Sequence, residues 1–359
     1  MANRLYVGTD EGLFVLAQHE GLWGVESHAL TDFGVEEIAV QPNGRVLAGT
    51  RGDGVWASDD AGKTWKKPSY GRPGPGKVRC LTIDPKDPNH IFAGGEPIEV
   101  FETDDGGANW RSIQSIRDLP FVGGISYPVK TVEPHVRDIT LDPLHPGTMY
   151  VALQVGYMIK TTDGGKTWKR MDQEVDPDIH TIIVNPTHPE TVIVATGGGG
   201  IRAMGVPVAD YKPENEPGKG RAMYVSQDGG QHFSPIGMEF EQHYSVPLVQ
   251  HPTDPSILYA GLADGAPPSW RRPEGARGAL VSSGDGGKTW KRIDQSIPFG
   301  GMLFPGAINL DASDASQMFV GLASRGGASR VATSDTAGQS WTAVEAEFPE
   351  ISDLKCATV

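Results

Sequence analysis

The octapeptide SDDAGKTW, Ser58 to Trp65, decides how the rest of the chain is read, because it returns. TDDGGANW (Thr103 to Trp110), TTDGGKTW (Thr161 to Trp168), SQDGGQHF (Ser226 to Phe233), SGDGGKTW (Ser283 to Trp290) and SDTAGQSW (Ser334 to Trp341) repeat the pattern Ser/Thr-x-Asp-x-Gly-x-Thr-Trp. The fourth copy ends on Phe233, and the last carries Thr336 where the others have Asp. Each copy has the chemistry of a hairpin. Glycine supplies a positive φ, the carboxylate accepts turn amides that would otherwise lack partners, and the aromatic packs inward between layers.

Ahead of the boxes runs a second repeated unit, in which two β-rich runs flank a Pro corner: VRCLTIDPKDPNHIFAGG (Val78 to Gly95), VRDITLDPLHPGTMYVAL (Val136 to Leu153) and IHTIIVNPTHPETVIVAT (Ile179 to Thr196). Each repeat therefore holds four strands, and four-stranded units recurring at roughly 40 to 50 residues are propeller blades. Counting the outer-strand aromatics Trp23, Trp65, Trp110, Trp168, Phe233, Trp290 and Trp341 predicts an all-β, seven-bladed β-propeller of antiparallel blades over 1–359. The chain opens on a second-type strand, LYVGT (Leu5 to Thr9), and ends on ISDLKCATV (Ile351 to Val359), which reads as an inner strand. The C-terminal strand is thus expected to complete the N-terminal blade and close the ring, removing both edges.

Composition agrees. The 47 glycines and 28 prolines are scattered through 359 residues, as many tight turns require. A net charge of −14 argues against a nucleic-acid partner. No basic-then-apolar leader and no apolar run of about 18 residues is present, so no membrane span is expected and a cytoplasmic location is. Cys80 and Cys356 fall on inner strands of different blades and read as small buried hydrophobes.

The six boxes in phase resemble those of the Asp-box (BNR) repeat proteins of the sialidase-like β-propeller superfamily, across essentially the whole chain. That resemblance implies the propeller fold, and it spans sialidases, xyloglucan-cleaving glycosidases, sorting-receptor ectodomains and photosystem assembly factors. Function does not follow from the boxes, which in the family sit opposite the active site. The Arg-Ile-Pro motif of sialidases does not occur here. The xyloglucan enzymes set their cleft between two propellers, whereas one is present in this chain.

Candidate chemistry is therefore sought where inner strands begin. Aligned on their Pro corners, these strands place Glu36, Arg79, Arg137, His180, Val246, Gly306 and Ser352 at one position, and the loops after second strands add Asp10, Glu11, Arg51, Glu96, Gln154 and Arg325. Arg51, Arg79, Arg137 and Arg325 are candidates to bind an anionic substrate group, or else pair with Glu36, Glu96 and Asp138 as struts between blades. His135, His180 and His243 open three successive inner strands beside Glu133, Asp138, Asp176, Asp178, Glu239 and Glu241, a pattern that suits a divalent metal or acid/base work. Three insertions, about 114–134, 197–220 and 263–277, are expected on the same face as a lid or a docking surface. Tyr127, Tyr157, Tyr244 and Trp270 would wall the pocket.

Two classes of function stay open, beside a third in which the boxes mark a carbohydrate-binding module with glycan affinity and no turnover. One is an enzyme, a hydrolase or lyase acting on a small anionic molecule or glycan, with His180, Glu241 and Tyr244 as catalytic candidates; its metal-free form is a sialidase-like glycosidase using Tyr244 with Glu241. The other is a non-catalytic assembly protein resembling the photosystem factors, with a protein partner on the Arg-rich face.

Overall fold

The computed structural model describes residues 3–127, 132–199, 222–298, 300–324 and 327–358. Its strands form seven antiparallel sheets whose inner strands touch in cyclic order, a seven-bladed β-propeller. Both ends of the chain build blade one, where Ile351–Thr358 is innermost, followed outward by Asn3–Thr9, Gly12–His19 and Leu22–Ala29. The closure expected from the terminal strands is thus what the chain does. Blades two to seven begin on Val35–Val40, Lys77–Asp84, Val136–Leu141, Ile179–Val184, Tyr244–Gln250 and Phe304–Leu310. Six sheets have four strands; in blade two the fourth shrinks to one bridge, Ala57 to Lys66.

The core lies between blades. Second strands such as Val46–Thr50, Met149–Leu153 and Val192–Thr196 are buried at every residue, because each is covered on both faces. Tyr150 and Met158 of blade four pack against Ile182 and Val194 of blade five, and equivalent clusters fill the other interfaces. The approach is close enough that a Cβ on Gly261 would fall 1.9 Å from the Pro305 carbonyl oxygen, so no side chain is tolerated there. Threonine hydroxyls tie successive inner strands together: Thr82 donates to Ile139 O (2.6 Å), Thr140 to Ile182 O (2.9 Å) and Thr181 to Val246 O (2.6 Å).

The repeated octapeptide performs the hairpin chemistry expected of it. In Thr161–Trp168, Asp163 Oδ1 accepts the Lys166 and Thr167 amides at 3.0 and 2.9 Å while Oδ2 accepts the Thr167 hydroxyl at 2.6 Å. Gly165 sits at φ +85° and the Trp168 indole donates to its carbonyl at 3.2 Å. In the sixth copy the Thr336 hydroxyl takes over, accepting Ser340 N–H at 2.9 Å, which explains why loss of the acid is tolerated. These turns satisfy backbone groups and need no other role.

Of the insertions, the first starts against the octapeptide of blade four, where Ser115 donates to Gly165 O, and climbs past Ile125 to Tyr127 at the channel mouth. The third forms the short 3-10 turn Pro267–Arg271, which lays Trp270 into the mouth. The second lies outside the described residues from 200 onward, as does Arg325. Among the described residues no helix is long and apolar enough to cross a membrane.

Candidate functional site

Every inner strand carries an irregularity at one position. The pairing register slips at Glu36, Arg79, Arg137, His180, Val246–Pro247, Gly306 and Ser352, so that in each blade one extra inner-strand residue is accommodated. These are the positions that the Pro corners aligned. A β-bulge re-aims the side chain it carries, and all seven line a central cavity of about 780 Å³. The fold therefore repeats a scaffold sevenfold while the bulge residues differ: ionisable in blades two to five, apolar or bare in six and seven.

On the ionisable side the arginines are engaged. Arg51 pairs with Glu36 and donates to Ser352 Oγ at 2.9 Å; Arg79 bridges Glu36 (2.9 Å) and Glu96, and Lys77 meets Glu96 at 2.8 Å. Burial alone would push Glu36 up, but Arg51 and Arg79 outweigh it and hold its carboxyl down at about 2. Glu96 lies below the usual range for the same reason, its burial overcome by Lys77 and Arg79. Arg51 and Arg79 thus act as struts between blades, whatever else they bind. Arg137 differs. It lines the cavity and joins no ion pair or hydrogen bond among the described residues, although it lies in the field of Glu36, Glu37 and Asp138.

Asp138, next to that bulge, also lines the cavity, and desolvation in the wall pushes its carboxyl up to about 6 although Ile182 N–H donates to it at 2.7 Å. Glu37, its counterpart in blade two, is raised by burial and by Asp353, with Lys355 opposing. In the sequence Asp138 stands out only as a possible partner for arginine and as one of the carboxylates beside the three histidines. Its position directly after a bulge was the signal that could have singled it out.

Opposite stands an aromatic wall. Tyr244 packs edge-on against Trp270 (5.6 Å between centroids) and Phe304 (5.9 Å), and Trp270 lies 4.4 Å from Phe304. The Trp270 indole donates to Gly265 O at 2.8 Å, which fixes the ring. Tyr127 meets His135 edge-on at 5.7 Å across the mouth. Tyr157, by contrast, belongs to the core of blades four and five, beneath the Arg170 guanidinium at 5.7 Å, and does not line the cavity. Glu241 is exposed, near Arg277 at 3.5 Å, and is likewise outside it.

The three histidines occupy different offsets. His180 is the bulge residue of its strand, His135 lies two residues before its bulge and His243 three. With side chains alternating along a strand, an odd offset turns His243 away from the cavity. His180 gives its Nδ1–H to Ser245 O at 2.6 Å and turns Nε2 to Asp178 Oδ1 at 3.4 Å; His135 Nδ1 is held by Glu133 O at 2.9 Å. Burial, then Arg79, depresses His135 to about 4, so its imidazole is neutral. Among the described residues no three His, Cys, Asp or Glu side chains group to hold a metal ion, and this histidine set does not fit one.

Between blades four and five the mouth has a polar corner. Gln154 Nε2 donates to Asp178 Oδ1 at 2.9 Å, and Asp176 accepts the amides of Asp178 (2.8 Å) and Gly199 (2.7 Å). Burial and the neighbouring Asp178 raise Asp176 to about 7. Gln154 Oε1, in a buried side chain of the cavity wall, has no partner among the described residues.

Fold and site define a closed propeller with a wide, chemically two-sided channel mouth. No protein-family profile matches the chain. A protein of Neosartorya fischeri named "Probable oligoxyloglucan-reducing end-specific xyloglucanase" is 26% identical over 196 residues, which is 46% of this chain and 22% of that protein. Among solved structures, the GH74 enzyme of Niastella koreensis superposes with a TM-score of 0.60 at 18% identity, over 86% of this chain and 45% of that one. YCF48 bound to a D1 peptide superposes with a TM-score of 0.58 at 15% identity, over 92% and 88%. The chain spans less than a quarter of the curated relative and less than half of the GH74 enzyme.

Proposed function

We propose that the protein is a glycan-directed hydrolase whose substrate sits in the channel mouth. The observation that carries this reading is Asp138, a carboxyl group in the wall of a 780 Å³ cavity whose proton affinity is raised toward neutrality, on the same side as the ionised Glu36. Carboxyl groups driven apart in this way are the equipment of glycosidic cleavage, one delivering a proton while another stays charged. Tyr127, Tyr244 and Trp270 offer flat faces to a sugar ring, and His180, held in one tautomer by Ser245 O, lines the wall below them. The xyloglucanase relative supports a glycan substrate. A divalent ion has no part in the proposal, because His135, His180 and His243 do not converge.

The test is a panel of neutral and acidic oligosaccharides, scored for new reducing ends and for the ultraviolet-absorbing unsaturated products that a lyase would leave. Asp138→Asn is expected to lose turnover while folding normally, since its amide oxygen still accepts Ile182 N–H. A panel left intact by the native protein, or full turnover in the variant, would refute the reading.

A second reading, a non-catalytic assembly protein, is supported by YCF48, which matches over nearly the whole of both chains, and by a mouth whose Arg51 and Arg79 are already neutralised into a firm surface. His180→Ala separates the two: it should abolish turnover in an enzyme and leave partner affinity nearly unchanged in a scaffold.

A further inference from the structure

Among the described residues, two groups in blade four have no partner. Arg137 is a full positive charge on the bulge, and the other described cations that line the cavity are taken, Arg51, Lys77 and Arg79 by Glu36 or Glu96 and Lys355 by Asp353 and Glu37. Gln154 ends the adjoining stretch of the same blade, its N–H bonded to His135 O at 2.8 Å. Its amide cannot be turned round, because Asp178 requires the Nε2 donor, so Oε1 remains a buried acceptor that no donor among the described residues reaches. Buried acceptors are rarely left unmade, and a guanidinium lacking a carboxylate is built to take one in a two-pronged contact.

We propose that Arg137 and Gln154 form a subsite for a carboxylate that carries a hydroxyl close by, Arg137 holding the carboxylate and Gln154 Oε1 accepting the hydroxyl. An acidic sugar, a uronate, has both groups on one ring and an apolar ring face to set against Tyr244 and Trp270. A free hydroxy acid has the polar groups alone. The uronate form rests on the hydrolase reading; the subsite itself does not. It also explains how a chain of net charge −14 can receive an anion: among the described cations that line the cavity, Arg51, Lys77, Arg79 and Lys355 are in ion pairs and Arg137 is not.

The experiment is calorimetric titration of the intact protein with D-glucuronate, D-glucose and tartrate. Glucuronate should bind about tenfold or more tightly than glucose, the size of one charge-assisted pair. Arg137→Gln should erase that preference, and Arg137→Lys, which keeps charge without the planar fork, should leave part of it and covers the case in which the glutamine variant fails to fold. Gln154→Met should weaken glucuronate and glucose alike. Equal binding of glucuronate and glucose, or a preference that survives Arg137→Gln, overturns the uronate assignment while leaving the hydrolase reading intact. Tartrate binding lost in Arg137→Gln, with no sugar bound at all, upholds the subsite for hydroxy acids and overturns the hydrolase reading. Failure of all three ligands overturns both.

Discussion

Asp138→Asn should make the protein more stable at neutral pH while costing it whatever it does in the channel. In the folded chain the carboxyl is raised from an ordinary 3.8 to about 6 by desolvation in the channel wall, against the opposing pull of the Ile182 amide and Arg137. A carboxyl raised on folding contributes fully below about 3.8, and that contribution is lost as pH climbs through about 6. The displacement is worth about 3 kcal/mol, which native protein forfeits at pH 7.5 and keeps at pH 3.5. Asparagine carries no charge, so its stability has no such slope, and it can still accept from Ile182 N–H. The variant should therefore melt about 4 °C higher than native at pH 7.5, given the unfolding entropy of a chain this long, and show no such gain near pH 4. Paired thermal melts at the two pH values, with urea titrations as a check, measure this. A melting difference that is the same at both pH values would refute the reasoning, because it would show that Asp138 is ionised in the fold throughout. On the hydrolase reading, stability gained where turnover is lost is what a desolvated functional group leaves behind when it is removed.

Three further perturbations test the scaffold around it. Glu96→Gln removes the carboxylate that Lys77 and Arg79 share, and urea unfolding should find it weaker by about 3 kcal/mol, with Arg79→Met in the same chain recovering part of the loss. His135→Gln should abolish a specific acid sensitivity: burial, then Arg79, lowers the imidazole from 6.5 to about 4, so native protein loses about 3 kcal/mol as pH falls between those values, and the variant should not. Gly165→Ala should lower the melting temperature by about 1–2 °C, since alanine at φ +85° costs roughly 1 kcal/mol and its Cβ would meet Ile113 Cγ2 at 3.1 Å; an unchanged melt would show that the turn relaxes.

The fold was legible because the same local problem is solved repeatedly. A hairpin that needs a positive-φ glycine and an acceptor for turn amides leaves the same residues at Ser58, Asp60 and Gly62 as at Ser283, Asp285 and Gly287, and phase follows from repetition. The ring of channel residues was legible for a related reason: the bulge sits at a fixed distance from the Pro corner, so alignment on the corner found Glu36, Arg79, Arg137 and His180 together. What could not be read was which of these would be spent on each other. Arg51 and Arg79 look like Arg137 in sequence, and only the approach of Glu36 to both, across a blade boundary in the case of Arg79, and of Glu96 to Arg79 distinguishes them. The same limit applied to His243 and Glu241, whose closeness in sequence to Tyr244 says nothing about the turn of one residue that removes them from the cavity wall.

That division of labour bears on where function can change in such a chain. The second strands and the octapeptides carry burial and turn chemistry in blade after blade, whereas the bulge residue contributes one side chain to the channel, which at Glu36, Arg79 and His180 also ties neighbouring blades together. In blades six and seven the bulge has been left as Val246 and Gly306, and aromatic side chains from Tyr244, Trp270 and Phe304 occupy that side of the mouth; Gly306 matters here, because a Cβ on it would lie 3.2 Å from the Phe304 ring. An apolar wall facing a charged one across a single cavity is therefore produced by altering a handful of positions on an otherwise repeated frame. A binding partner that matched only the charges would leave the aromatic wall wet, and one that matched only the aromatics would bury Arg137 without a counter-charge. On the proposed reading, the ligand that satisfies both has an apolar face and an anionic edge, and Arg137, which has no ion pair among the described residues, would set what this channel accepts more than the paired arginines do.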